Sequence, residues 1–178
     1  DDSDTKNIDA EELSAELEEK IQEMVKKNKQ RKRFLDRLNS LLNEYNAGSH
    51  DLDAFFNNLV DLAKELSEED GRAISENLTE EELAIFDLLK KDDLNPDEIN
   101  KVKNVAQKLI VRLKTEKLTL DWKKKEETRA DVKVTINKIL YDELPEPKYS
   151  EDDCNDRGHK VYYHIYNSYV DSNVSVYS

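Results

Sequence analysis

Residues 34–66, with the sequence FLDRLNSLLNEYNAGSHDLDAFFNNLVDLAKEL, decide the fold class of this chain. Apolar side chains recur at spacings of three and four residues on both sides of the polar segment 46–51, which is the periodicity of amphipathic helices. Gly48 can adopt the left-handed conformation that ends a helix, and Asp51 can accept hydrogen bonds from the free amides that begin the next one. The stretch therefore predicts a helical hairpin with a short turn.

A narrower helix is predicted before the hairpin. Asp9 followed by Glu12 is typical of a helix start, because each side chain can cap backbone amides near the other. Four apolar residues then share one face of the predicted helix, namely Leu13, Leu17, Ile21 and Met24. We interpret residues 1–29 as a linker and an N-terminal amphipathic helix, and we expect other sequence to precede the acidic opening. The basic stretch 26–33 is interpreted as a solvated helix end rather than a binding site.

Further helix starts follow the hairpin. Thr79 and Asn95 each precede acidic residues in the pattern of a capping box, and Pro96 suits a first helical turn because its missing donor is harmless there. Asp121 is predicted to cap a helix that begins at Trp122. Apolar residues in 132–140 keep helical spacing, although three of them also alternate like a short strand, and we favour the helix.

The C-terminal residues 149–178 have a different composition. They hold six of the eight tyrosines, and a helix from about residue 157 to 170 places several of them on one face. We interpret this segment as a docking tail formed by Tyr162, Tyr163, His164, Tyr166 and Tyr169, because an aromatic-rich segment is too apolar to stay disordered. We also expect the preceding bundle to keep its fold when the chain is cut after Leu144. The predicted fold class is all-α: a helical bundle over residues 30–148, with the N-terminal amphipathic helix and the aromatic-rich tail.

Charge and cysteine content restrict the setting and the partners. The formal net charge is −13, yet residues 101–138 carry 12 Lys and Arg against 5 Asp and Glu. Charge that alternates along the chain suits docking to a complementary assembly better than unaided binding to a polyanion. The alternative is a solvated acidic surface that keeps the chain soluble. One cysteine cannot form an internal disulfide, and no apolar run reaches the length that spans a bilayer. We expect a cytoplasmic protein without membrane contact.

The sequence shows no motif for catalysis. Three glycines, Gly48, Gly71 and Gly158, cannot build a phosphate-binding loop, and Cys154 and the three histidines lack the spacing of zinc ligands. Carboxylates follow helix-capping and surface patterns. We therefore expect no catalytic residue, no metal site and no cofactor within this chain.

One basic stripe remains as a candidate site. Lys125, Arg129 and Lys133 follow Trp122 at four-residue spacing, so a helix would place the three cations on one face. That face suits an acidic protein partner or the phosphates of duplex DNA. The alternative is that the three cations pair with the acidic segment 51–100 of the same chain.

Several short motifs, in this order, resemble those of the R subunits of type I DNA restriction enzymes. Residues 42–49, which contain Tyr45-Asn46-Ala47-Gly48, and residues 52–56 resemble that family's helical turn of Tyr, Asn, a small residue and Gly. Residues 78–89 resemble the segment that comes next in that family. Residues 120–130, which contain Asp121 and Trp122, are similar to its Asp-Trp element. Residues 164–169 resemble its terminal signature but lack the Gly that commonly follows.

The resemblance implies that this chain is the C-terminal helical part of a much longer subunit. Such a parent has a nuclease domain and a motor that uses ATP and magnesium to translocate DNA before cutting it. The resemblance also implies that this C-terminal part binds the methyltransferase and specificity subunits. Our first hypothesis is a non-catalytic assembly module that tethers the motor to those subunits. The alternative is a surface that guides duplex DNA during translocation.

Overall fold

The computed structural model describes residues 2–49 and 51–178, and it confirms the all-α class. The described residues form eight α-helices and no β-strand, apart from one isolated bridge between Tyr169 and Ser175. The helices are α1 (Asp2–Lys27), α2 (Lys32–Glu44), α3 (Leu52–Asp70), α4 (Arg72–Ser75), α5 (Glu80–Leu89), α6 (Pro96–Arg112), α7 (Glu126–Glu143) and α8 (Glu151–Ser168). Among them, no helix is both long and apolar enough to cross a membrane.

The chain divides into two compact units, Asp1–Asn77 and Leu78–Ser178. This division falls inside residues 30–148, which the sequence predicts as a single bundle. The short helix α4 ends just before the boundary, and Asn77 has a φ of 57°, a left-handed conformation that stops a helix. The weakly patterned acidic residues 67–78 therefore mark the change from one core to the next.

The predicted helical hairpin is confirmed in the first unit, where α2 and α3 pack against α1. Gly48 has a φ of 115° in the turn after α2, and the Asp51 carboxylate accepts a hydrogen bond from the Ala54 amide at 3.0 Å. The ring of Tyr45 stacks on that of Phe55, with centroids 4.4 Å apart. Leucine, isoleucine and phenylalanine side chains from all three helices share one buried core.

The predicted start of the first helix is wrong. Helix α1 begins at Asp2 rather than near Asp9, so residues 2–8 are helical and not a linker, while Asp1 lies outside the described residues. Contacts with the hairpin extend up to this first part of α1: Lys6 forms an ion pair with Asp53, and the Tyr45 hydroxyl donates to the Asn7 side chain at 3.5 Å. The acidic first turn also suits the positive end of the helix dipole.

The basic stretch 26–33 is not only a solvated helix end, because it contributes a buried ion pair. Arg31 is 2% exposed, and its Nε donates to the Glu69 carboxylate, which is 4% exposed, at 3.0 Å. Arg72 donates to both oxygens of the same carboxylate at 3.0 and 2.9 Å. Burial alone raises the pKa of Glu69, but the hydrogen bonds from Arg72 and Arg31 outweigh it, so its pKa lies below the usual value.

The second unit consists of α5 to α8, and the starts of α5 and α6 agree with the prediction. Capping boxes form at Thr79 and at Asn95 as predicted, and a third forms at Ser150. Residues 132–136 are helical, which confirms the choice of helix over strand. Helix α5 packs on α6, and α7 packs on α8.

The predicted helix start at Trp122 is wrong. Asp121 has a φ of 60° and lies in a turn, and helix α7 begins only at Glu126. The turn carries Trp122 into the core, where its side chain is buried. The Thr128 hydroxyl donates to the Trp122 carbonyl at 2.5 Å and holds this turn against the first residues of α7. Burial of the indole therefore decides the local conformation over the capping tendency of Asp121.

Residues 149–178 belong to the core of the second unit and are not a separate tail. Helix α8 begins at Glu151, earlier than predicted, and buries Val161 and Ile165. A Cβ atom on Gly158 would lie 2.0 Å from the Asn137 side-chain oxygen, which shows how closely α8 approaches α7. This burial contradicts the expectation that the bundle keeps its fold without the C-terminal residues.

The buried ion pair gives a first prediction. Glu69→Gln removes the charge that Arg31 faces inside the core, and we expect it to lower the free energy of unfolding by about 3 kcal/mol. Because the pKa of Glu69 is lowered in the folded state, its stabilisation is present at neutral pH and is lost as the pH falls below about 4.3. Urea unfolding followed by circular dichroism at several pH values measures both effects. The matched control Glu65→Gln, on the same helix with the half-exposed partner Arg37, should cost under about 1 kcal/mol.

Truncation gives a second prediction. Removing residues 145–178 deletes α8, exposes the apolar face of α7 and removes two rings beside Trp122. We expect residues 78–144 to unfold, with loss of helical circular dichroism and a red shift of the emission of Trp122, the one tryptophan in the sequence. Native-like emission and cooperative unfolding of the truncated chain would contradict the core role of α8.

Candidate functional site

The two sites predicted separately from the sequence, the basic stripe and the tyrosine segment, form one surface on the second unit. The Lys133 Nζ lies 4.7 Å from the centre of the Tyr162 ring, and the Lys123 Nζ lies 4.9 Å from that of Tyr166. We call this the aromatic–basic surface. It comprises Trp122, Lys123, Lys125, Arg129, Lys133, Tyr162, Tyr163 and Tyr166.

Trp122 is the buried base of the aromatic–basic surface. Its ring meets those of Tyr162 and Tyr166 nearly at right angles, with centroids 6.5 and 5.9 Å apart. Its Nε1 has no hydrogen-bond acceptor among the described residues. The indole is therefore held by packing against the two tyrosine rings. Tyr162 is buried beside it, whereas Tyr163 is 65% and Tyr166 is 37% exposed. The surface thus presents two tyrosine rings that a buried pair of rings supports from below.

The basic side chains of this surface are held by neighbouring groups. The Arg129 guanidinium donates to the Lys123 carbonyl at 2.5 Å and so ties α7 to the preceding turn. Burial lowers the pKa of Lys123. Burial also raises the pKa of Tyr162, against an opposing effect of the Arg129 charge. These shifts are the expected result of placing cations and hydroxyls against aromatic rings.

Among the described residues of the second unit, the cations of the aromatic–basic surface have no carboxylate partners. Most other basic residues of the second unit form ion pairs, including Lys90, Lys91, Lys108, Arg112, Lys114, Lys117, Lys124, Lys138, Lys148, Arg157 and Lys160. In the described part of the chain, no carboxylate pairs with Lys123, Lys125, Arg129 or Lys133. For residues 78–100, the part of the acidic segment 51–100 that lies in the second unit, the alternative of pairing with the stripe is therefore wrong among the described residues.

Two of the predicted docking residues lie inside the unit. His164 is buried between the Ser168 hydroxyl, 3.3 Å from its Nδ1, and the Tyr177 hydroxyl, 3.2 Å from its Nε2. Tyr169 is buried, and its hydroxyl donates to the Glu81 carboxylate at 2.6 Å. Burial, followed by this hydrogen bond, strongly raises the pKa of Tyr169. Both residues therefore fix the C-terminal segment to the core and are not available for docking.

Lys123 belongs to the surface, although its position in the sequence indicates this only weakly. It is adjacent to Trp122 and precedes the stripe, but its position over Tyr166 depends on the packing of α8. The partnership of Tyr169 with Glu81, 88 residues apart, had no signal in a single sequence.

The described residues contain no cluster of three or more His, Cys, Asp or Glu side chains placed to hold a metal ion. His50 lies outside the described residues. Cys154 is buried, its thiol donates to the Leu140 carbonyl at 3.7 Å, and burial raises its pKa. Among the described side chains, the aromatic–basic surface places cations against aromatic rings.

Comparison with known proteins agrees with the resemblance noted in the sequence. Residues 1–168 match a family described as "Type I restriction enzyme HindI endonuclease subunit-like, C-terminal". The chain is also 30% identical, over 115 residues, to a putative type I restriction enzyme MjaIXP endonuclease subunit of Methanocaldococcus jannaschii. That alignment covers 63% of this chain and 11% of the relative, so the chain spans a small part of the relative's length. No solved structure matches the chain.

The buried hydroxyl of Tyr169 gives a third prediction. Tyr169→Phe leaves the Glu81 carboxylate without this donor, and we expect a loss of roughly 1.5–3 kcal/mol in the free energy of unfolding. Trp122 fluorescence during urea unfolding measures this loss. The matched control is Tyr166→Phe, because the Tyr166 hydroxyl makes no hydrogen bond among the described residues. Equal stability of the two variants would show that the Glu81 contact contributes nothing.

Proposed function

Because this chain belongs to the family of C-terminal regions of type I restriction enzyme endonuclease subunits, we propose that it is a non-catalytic assembly module of such a subunit. In this proposal the module attaches the subunit to the methyltransferase and specificity subunits of its complex. The match over residues 1–168 is the observation that carries the proposal. The module would act in the cytoplasm, where the DNA substrate and the other subunits are found.

The non-catalytic part of the proposal rests on what the sequence offers for chemistry. ATP hydrolysis requires a phosphate-binding loop, and metal-dependent DNA cleavage requires converging carboxylates. The sequence has no such loop, and the described residues have no metal-binding cluster. The relative is a putative endonuclease subunit, and this chain aligns with 11% of it. We therefore assign the use of ATP and magnesium to the remainder of such a subunit.

The assembly part of the proposal is supported by the aromatic–basic surface. Tyrosine, tryptophan and arginine are enriched at protein interfaces, and cations without intramolecular partners are free to pair with a second molecule. The competing function, guidance of duplex DNA, is favoured by the 12 cations of residues 101–138. Both functions use the same region of the second unit, so binding measurements must distinguish them.

The proposed function gives a fourth prediction. The 178-residue chain, carrying an affinity tag, should retain the methyltransferase and specificity subunits encoded with it and should elute with them in gel filtration. Added in excess, it should also slow ATP-dependent DNA cleavage by the reconstituted enzyme, because it competes with the full endonuclease subunit for the same contact. The chain alone should show neither ATPase nor nuclease activity with magnesium.

The control for this experiment is a methyltransferase–specificity complex from a type I system of a different family, which the chain should not retain. Absence of any association with the cognate complex, from a chain that is folded by circular dichroism, would refute the assembly function. DNA cleavage by the chain that an active-site substitution within it abolishes would refute the non-catalytic assignment.

A further inference from the structure

We propose that the aromatic–basic surface binds an acidic segment of a partner protein, whose carboxylates pair with Lys125, Arg129 and Lys133 while an apolar side chain packs on Tyr163 and Tyr166. This inference rests on the proposed function and adds to it the contact surface and the chemistry of the partner. The partner segment would carry two or three carboxylates beside at least one apolar residue.

The first step of the argument is the distribution of unpaired cations. The chain has 41 acidic and 28 basic residues, so a carboxylate is available for almost every cation that the fold exposes. Lys117 pairs with Asp131 at 2.9 Å, and Lys124 pairs with Asp121 at 2.9 Å, immediately beside the surface. Nevertheless Lys125, Arg129 and Lys133 have no carboxylate partner among the described residues. Neighbouring cations of the second unit that have no carboxylate partner form a surface suited to external carboxylates.

The second step is that several of these cations are already restricted in position. Lys133 lies over the Tyr162 ring, and Arg129 is held by its hydrogen bond to the Lys123 carbonyl. A cation held over an aromatic ring has lost part of its side-chain freedom before binding. Less rotamer entropy is then lost when a carboxylate binds, which favours association.

The third step is the exposed apolar area beside the cations. Tyr166 lies beside Lys123 and contacts the buried rings of Trp122 and Tyr162, and the exposed ring of Tyr163 lies 6.3 Å from that of Tyr162, which Lys133 also contacts. Aromatic rings supported by a rigid base contribute large contact area at a small cost in conformational entropy. A surface that combines exposed rings with cations has the composition of the centre of a protein interface rather than of a purely electrostatic contact.

The fourth step decides between a protein and duplex DNA. Two exposed carboxylates that form no ion pair among the described residues, those of Glu126 and Glu127, lie within the same stretch. Duplex DNA presents a continuous row of phosphates, and these carboxylates would repel it. A folded partner presents separate carboxylates and can place them on the three cations while it avoids the two glutamates. The local charge pattern therefore favours a protein partner.

The test compares two charge-reversal variants of the full chain for binding to the cognate methyltransferase–specificity complex. In the surface variant, Lys125, Arg129 and Lys133 are changed to Glu. In the control variant, three basic residues elsewhere in the second unit are changed to Glu, namely Lys101, Lys108 and Lys138. The net charge changes equally in both. We expect the surface variant to weaken binding at least about tenfold at low salt, and the control variant to change it less than about threefold.

A second pair of variants tests the apolar part of the surface. Tyr163→Ala removes an exposed ring of the surface and should weaken binding about fivefold or more, as loss of an interface aromatic commonly does. Tyr141→Ala removes a ring of similar exposure, 62%, on α7 outside the surface and should leave binding unchanged. Because both side chains are exposed, neither change should alter the fold, which circular dichroism checks.

The outcomes separate this inference from the function on which it rests. If the unmodified chain does not bind the complex, the proposed function fails and this inference fails with it. If the unmodified chain and the surface variant bind equally well, the surface assignment is overturned while the assembly function stands. If the chain binds duplex DNA at physiological salt and the surface variant loses that binding, the surface serves nucleic acid and the inference is overturned.

A single change keeps the test valid if the triple variant does not fold. The Lys125 side chain is exposed and makes no hydrogen bond or ion pair among the described residues, so Lys125→Glu should leave stability unchanged. It should still weaken binding, by about threefold to tenfold at low salt, and the effect should shrink as salt is raised. Unchanged affinity of this folded variant at low salt would overturn the inference.

Discussion

Burial of Trp122 is the constraint on which the second unit and its surface depend. The indole is fully covered, and this requires the chain to turn at Asp121 with a positive φ before α7 begins. The rings of Tyr162 and Tyr166 close over it, so α8 must pack along α7 at a fixed rotation. That rotation brings Lys123 and Lys133 against tyrosine rings. The aromatic–basic surface is therefore a consequence of core packing, and its geometry is as fixed as the core.

Helical periodicity places the side chains of α8 in three different environments. Val161 and Ile165 face the core, Tyr162 and Tyr166 lie against Trp122, and Tyr163 faces solvent. Buried polar groups of the core face find partners within the unit, since Tyr169 donates to Glu81 and His164 lies between two hydroxyls. One helix thus completes the core and supplies the exposed rings. A variant that loses α8 therefore also loses the aromatic–basic surface. For this reason binding must be tested with substitutions at exposed positions, which leave α8 in place.

The sequence predicts those features that depend on neighbouring residues. The hairpin turn at Gly48, the cap at Asp51 and the capping boxes at Thr79 and Asn95 all have their partners within four residues, and all are confirmed. The errors arise where distant contacts decide. The first part of α1 contacts the hairpin through Lys6 with Asp53 and Asn7 with Tyr45, residues 47 and 38 positions away. The burial of Arg31 depends on Glu69, 38 residues away. Likewise, the stripe and the tyrosines were both recognised, but only the packing of α8 on α7 unites them.

The overall charge of the chain adds selectivity to the proposed contact. At distances beyond a Debye length, about 8 Å in physiological salt, the net charge of −13 gives an acidic partner no general attraction. Within that distance, an orientation that places carboxylates on Lys125, Arg129 and Lys133 gains three attractions that salt screens only in part, while other orientations meet the paired or acidic remainder of the surface. Repulsion elsewhere and attraction at one place select a single docking geometry more strongly than a uniformly basic surface would. A module that must hold a large subunit in one orientation benefits more from such selectivity than from high affinity alone.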